Sequence, residues 1–376
     1  MAIFTYIPPY LRDLGNKEFI IPLVSSIFPL TATIFPSLLG KRSDLIQNRS
    51  IFFIIGTFGT SLTLLLLLFT KELIWIIFLL FLYGFFNSCF GIIFILYQEV
   101  VENNPKLITY YNAMIVLGWF LGAQLGGIFI GIFGILNIIF FLLIFSIINI
   151  FPLIFIKEDR NEILEHYEIK SKSNQNENND IGQQTCKSIS KSIYYALFFR
   201  NFGIRPVMGI LAVLLGNLLI NANEIGFLIG FNPLLQFFLM ILIGKLIKDK
   251  NQKVIMIIGY LLGALTLFGY IISFDFNGFL FYQILASFSY AMFWNATQIY
   301  IAQRTTPKNK GKYVGYANSS FFLGSFIGGL LFSFLSSINS DYYFAMWFMI
   351  IFPAISALII FLKFKNKENL ELLVPK

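Results

Sequence analysis

Gly40-Lys41-Arg42-Ser43-Asp44-Leu45-Ile46-Gln47-Asn48-Arg49 is a short polar break wedged between two long apolar runs. The same kind of break returns far downstream as Gly244-Lys245-Leu246-Ile247-Lys248-Asp249-Lys250-Asn251-Gln252-Lys253. The spacing is regular: Pro29 and Pro233, Leu30 and Leu234, Gly40 and Gly244, and Arg49 and Lys253 are each 204 residues apart. A second set keeps an offset of 202, with Pro105 and Pro307, Tyr111 and Tyr313, Leu121 and Leu323, Gly122 and Gly324, Gly126 and Gly328, and Gly127 and Gly329. The chain is two copies of one unit, with a period far too long for a solenoid.

The runs around the breaks decide the medium. With 57% hydrophobic residues and only 12% charged, the 376-residue chain lacks the charge to clothe a water-soluble globule, which needs roughly a quarter. Its partner is therefore a lipid bilayer. The net charge of +8 does not point to nucleic acid, because the basic residues are sorted by loop. Loops on one side hold 22 Lys and Arg, whereas the other side holds only Arg12, Lys17 and Lys71. That bias predicts a cytoplasmic location for both repeated loops, the central linker and the C-terminus, in a multi-pass protein of the cell membrane. Two cysteines give no disulfide framework, and the single histidine, His166, rules out a His-based metal site. No cofactor or metal is expected. Enzymes that act on lipids would need buried His, Asp or Glu clusters, and no span contains one.

A spanning helix needs ~20 apolar residues. Suitable runs lie near 19–39, 51–70, 73–98, 108–130, 132–156, 192–218, 224–246, 254–273, 277–302, 312–336 and 342–362. The opening stub, Met1 to about Leu11, reads as the outer half of one more helix; Met1 corresponds to Arg205 at the 204 offset, so the inner half is expected upstream. These spans predict an all-α membrane protein of two six-helix bundles, residues 1–156 and 192–376, joined by a polar linker at 157–191. The linker is too rich in Asn, Ser, Gln and Glu to bury a core.

The loop positions and helix count resemble the major facilitator superfamily over essentially the whole chain. Gly40, Asp44 and Arg49 match three anchors of that family's loop signature, and Gly244 with Lys253 echoes them in the second half. Gly118-xxx-Gly122-Ala123-Gln124-Leu125-Gly126-Gly127 is similar to its glycine motif in the fifth helix. Leu45, Gln47, Ala123 and Lys248 depart from the family pattern, and the fourth helix lacks the arginine of the proton-coupled antiporters. The resemblance implies a monomeric transporter of a small molecule, working by alternating access around a cavity lined by helices one, four, seven and ten. A transport-inactive sensor or scaffold on the same fold is the alternative, since fold alone does not fix function.

Polar groups near mid-membrane are costly and need a reason. Counting from span ends, the midpoints fall near Asn87, Arg205, Gln236 and Tyr290. The tenth helix gathers Gln283, Ser287, Tyr290, Trp294 and Gln298 on one arc, and Tyr83 joins Asn87 in the fourth. Together with Gln124 these are the cavity candidates, with interhelical packing as the competing account. Arg205 has no Asp or Glu deep in any span, so it meets backbone carbonyls, water or an anionic ligand or, if Gly203 and Pro206 break the helix, snorkels to the interface beside Arg200. At the cytoplasmic rim, Asp44 and Glu102 correspond to Lys248 and Arg304, an inversion of charge that suggests a gate.

Overall fold

The computed structural model describes residues 2–46, 48–101, 105–151, 189–218, 221–304, 310–339 and 341–364. The regular structure among them is helical, with no strand. The first half runs α1 (Ala2–Asp13), α2 (Ile20–Ser25), α3 (Ile27–Ile46), α4 (Ser50–Leu67), α5 (Leu73–Ser88), α6 (Phe90–Val100), α7 (Pro105–Phe133) and α8 (Ile138–Ile148). The second runs α9 (Ser192–Asn217), α10 (Ala222–Leu246), α11 (Gln252–Ile272), α12 (Phe276–Arg304), α13 (Lys310–Asn339), α14 (Tyr342–Met349) and α15 (Ile351–Lys363). The pairs α2–α3, α5–α6 and α14–α15 are single spans, each interrupted once. Pro29 and Pro353 account for two of the interruptions, because neither has the N–H that would bond the carbonyl four residues back.

Nine helical stretches among the described residues are long and apolar enough to cross a bilayer. α12 adds a 29-residue helix, ~43 Å long at the standard rise, whose Gln, Ser, Asn and Thr residues lower its hydropathy. Large apolar side chains such as Phe58, Phe140, Leu261 and Leu358 stay exposed on the outer faces. Such a surface is stable only against lipid. In that setting the helices satisfy their own backbone groups, as lipid requires.

The polar break that organises the sequence is mostly helix, not loop: α3 continues through Gly40 to Ile46. Leaving the hydrocarbon does not end a helix when the following residues are ordinary helix formers such as Lys, Arg, Leu and Ile. The second break behaves alike, with α10 running through Gly244 to Leu246. There the turn is fastened by Asn251, whose Oδ1 accepts from Lys248 N at 2.7 Å and whose Nδ2 donates to the Leu246 carbonyl at 2.8 Å. The expected linker at 157–191 falls almost wholly outside the described residues, as does Glu102.

Within the first half α4 packs on α5 and α8, and α3 on α5; within the second, α9 packs on α13 and α15, and α11 on α12 and α15. Among the described residues the halves meet mainly where α7 packs on α10, α13 on α2 and α3, and α1 on α9, with smaller contacts of α2 with α9 and α7 with α12. The repeat is visible in the seam. Gly127 lies against Gly226 across it, where a carbon added at Gly226 would meet the Gly127 Cα at 2.9 Å, while the equivalent of Gly127, Gly329, faces Ser26 with no room for a side chain. The neighbouring pair turns inward, Gly126 onto Tyr6 and Gly328 onto the Phe202 carbonyl of its own half. Glycine lets these helix backbones approach.

Candidate functional site

Between the halves, at mid-length of the helices, lies a cavity of about 290 Å³. The first half contributes Thr5, Ser25, Ser26, Tyr83, Asn87 and Trp119, and the second Arg205, Met208, Phe322 and Ser325. Tyr83 and Asn87 are one helical turn apart on α5, so both meet the same face. Beyond the cavity, at the end away from the basic loops, the halves are bonded together. Arg12 Nη1 donates to Asn217 Oδ1 at 2.5 Å and to the Val213 carbonyl at 3.2 Å. Ser333 Oγ donates to the Phe19 carbonyl at 2.5 Å, and Tyr342 OH to that of Glu18 at 3.0 Å.

Arg205 reaches the cavity from a continuous α9; Pro206 sits inside the helix without ending it. The broken, shallow start considered from Gly203 and Pro206 does not form. Gly203 instead lets α9 press against the Met349 carbonyl of the facing helix. Arg200 is 4% exposed. Its Nη1 donates to Asn201 Oδ1 at 3.0 Å, and its guanidinium lies 4.2 Å from the Phe293 ring centre and 5.8 Å from that of Tyr290. Arg205 rests 4.9 Å from the Phe321 ring centre. Among the described residues no carboxylate or hydrogen-bond acceptor engages it.

A recess of about 60 Å³ opens beside the cavity and shares Trp119, Arg205 and Met208 with it. Its other polar walls are Arg200, Asn232, Gln236, Gln283 and Tyr290. Asn232 holds the recess together: its Nδ2 donates to Gln283 Oε1 at 2.8 Å, its Oδ1 accepts from Gln236 Nε2, and its backbone carbonyl accepts from Ser287 Oγ at 3.0 Å. Sequence reasoning missed Asn232 and Trp119. The signal for Asn232 was available, since it lies one turn before Gln236 on the same helical face.

The arc proposed on α12 divides. Gln283 and Tyr290 line the recess, but Ser287 is spent on α10 and on the Gln283 carbonyl at 2.8 Å, so it acts as interhelical glue. Trp294 packs on Tyr290 and Phe321, and Gln298 lies beyond the walls of both spaces, further toward the basic end. Gln124 also lines neither; its Oε1 is buried without a hydrogen-bond partner among the described residues.

The Major Facilitator Superfamily model matches residues 1–184 and 193–373. The chain belongs to that superfamily. An uncharacterised MFS-type transporter of Methanocaldococcus jannaschii is 25% identical over 364 residues, covering 93% of this chain and 91% of the relative. Multidrug resistance protein 1 of Bacillus subtilis is 23% identical over 178 residues, 47% of this chain and 46% of that protein. The human organic anion transporter MFSD10 has the same fold, with a TM-score of 0.69 at 13% identity over 96% of this chain and 94% of that one. Membership in the superfamily makes this chain a multi-pass membrane transporter protein.

The superfamily loop motif is only partly described. Arg49 is 4% exposed, and its Nη1 donates to Ser43 Oγ at 2.9 Å, so it staples the motif within the first half. Its equivalent Lys253 instead lies 5.6 Å from the Phe361 ring centre. Lys248 is exposed, and Arg304 stacks 3.8 Å from the ring centre of Tyr300. The side chain of Asp44 lies outside the described residues.

Proposed function

We propose that the chain moves a small organic solute across the cell membrane by alternating access, taking it up in the central cavity. The observation that supports this most directly is a cavity lined by both halves and sealed at one end by bonds between them. Its volume sits near the lower limit of ligand pockets, ~300 Å³. With the basic loops assigned to the cytoplasm, the sealed end is the outer one and the conformation is outward-shut. Opening that end requires Arg12, Phe19 and Glu18 to leave their partners, while the α7–α10 seam permits the halves to rock over glycine. Among the described residues no Asp or Glu lines the cavity, so those walls offer a binding site without a carboxylate proton carrier.

The test is flux. The purified chain in proteoliposomes is offered labelled sugars, nucleosides, organic acids and lipophilic cations, and transport of at least one class above empty vesicles is expected. A solute that binds and raises the melting temperature yet never crosses would replace this reading with that of a sensor.

A further inference from the structure

We infer that the recess beside the cavity is an anion subsite, in which Arg200 and Arg205 together hold the carboxylate of an organic solute whose body occupies the larger cavity. The inference rests on the transport reading and names its substrate class. Two guanidiniums wall a space of about 60 Å³, five residues apart on one helix. A cation in the membrane interior is ordinarily paired. Here the pairing is incomplete: Arg200 keeps one amide bond and leaves its buried Nε unpartnered, and Arg205 has only a ring face. Among the described residues no Asp or Glu lines the recess or the cavity, so a counter-charge close to the two guanidiniums would arrive with a ligand.

The remaining walls suit a carboxylate. At ~10–15 Å³ of such space per water, the recess admits a group of a few atoms. Guanidiniums match a carboxylate through paired, charge-assisted N–H donors. Gln236 adds to the wall, with Nε2 committed to Asn232 and its buried Oε1 without a hydrogen-bond partner among the described residues. That free acceptor can receive an N–H or O–H from the solute. Trp119, shared by recess and cavity, meets the Tyr290 ring of the recess edge-on with 6.2 Å between centroids, giving an apolar body a surface to rest against.

The experiment compares acids with their uncharged isosteres on the full chain in nanodiscs. Melting curves are recorded with benzoate against benzamide, and succinate against succinamide, with sodium chloride and sodium phosphate as separate arms. Carboxylates are expected to raise the melting temperature where the matched amides do not. Arg205→Gln should weaken the carboxylate response by about tenfold or more, as loss of one charge-assisted bond implies, with Arg205→Lys intermediate. Arg200→Gln is measured alongside, and the ligand-free melting of each variant shows whether it folds. Equal binding of acid and amide, or an unchanged response in a folded Arg205→Gln protein, overturns the inference. So does tight chloride or phosphate binding that carboxylates fail to displace, which would mark an inorganic-ion site.

Flux separates the two levels. Transport of neutral solutes untouched by Arg205→Gln sinks the anion subsite and leaves the transporter standing. Arg205-dependent carboxylate binding without any flux does the reverse.

Discussion

Arg12 of α1 donates to Asn217 at the end of α9, and through the same nitrogen to the Val213 carbonyl one turn earlier. This joins the first helix of one repeat to the first helix of the other, at the end away from the basic loops. The cation also sits at the C-terminus of α9, where the helix dipole favours positive charge. Replacing it removes a latch without disturbing the cavity. Arg12→Ala is expected to cost the shut state about 1 kcal/mol, roughly a fivefold change in a two-state population. Spin labels at the exposed positions Lys71 and Phe274, one on each half, should then report a larger share of long distances. An unchanged distance distribution would mean that the Ser333 and Tyr342 bonds and the packed seam hold this end without Arg12.

Gly329 and Ser26 carry the second closure. Ser26 Oγ is bonded to the Pro22 carbonyl at 2.7 Å, and a side chain at position 329 would overlap it. Gly329→Val should therefore open the same end by overpacking, at ~1–3 kcal/mol. Ser26→Gly in the same chain should restore part of the closure, because it removes the group the valine strikes. Additive effects in that double-mutant cycle would show that the two residues do not oppose each other in the shut state.

The glycines illustrate what was legible in the sequence. Their 202-residue offset and the apolar runs gave the two-bundle architecture, because membrane helices must be long, apolar and internally bonded. Whether each glycine faced its own bundle or the other half was not legible. Gly126 and Gly127 are adjacent in sequence yet point to Tyr6 and to Gly226. Mid-membrane depth found Asn87, Arg205, Gln236 and Tyr290, since depth follows from counting. Direction does not. Ser287 shares an arc with Tyr290, but a short hydroxyl one turn away is within reach of the next helix's carbonyl and is consumed there. Loop length misled for a related reason: polarity marks where lipid ends, and α3 runs on past that point.

Glu18 gives the end away from the basic loops a dependence on pH. Partial burial, with Asp341 nearby, raises its carboxyl above the ordinary 4.5 despite the opposing pull of Arg12. A carboxylate raised on folding is strained when ionised, so the folded chain gains stability as pH falls through the raised value. The gain is complete below about 4.5, where the unfolded chain is protonated too. Melting temperatures from pH 7 down to 4.5 should show this contribution, and Glu18→Gln should flatten it. Coincident profiles for parent and variant would remove Glu18 as its source.

At the opposite end, the repeat places unlike charges at equivalent positions. Asp44 lies in the last turn of α3, and Lys248, its equivalent, in the turn after α10; Glu102 and Arg304 form the second such pair. With the outer end shut, the basic rim has no need to meet. In the alternating-access cycle proposed above, the outward-open conformation would close that rim, and pseudo-symmetry would bring equivalent positions together there. Opposite charges facing across it would then favour the outward-open state. Exposed pairs contribute only ~0–1 kcal/mol each, but an equilibrium balanced within a few kcal/mol responds to that much. Asp44→Lys should accordingly raise the outward-shut population, read with the same pair of spin labels, and slow transport. Lys248→Asp added to it should recover part of both, and Glu102→Arg with Arg304→Glu should behave likewise. Strictly additive energies for both pairs would leave these charges with no part in the gate, as signals of membrane orientation alone.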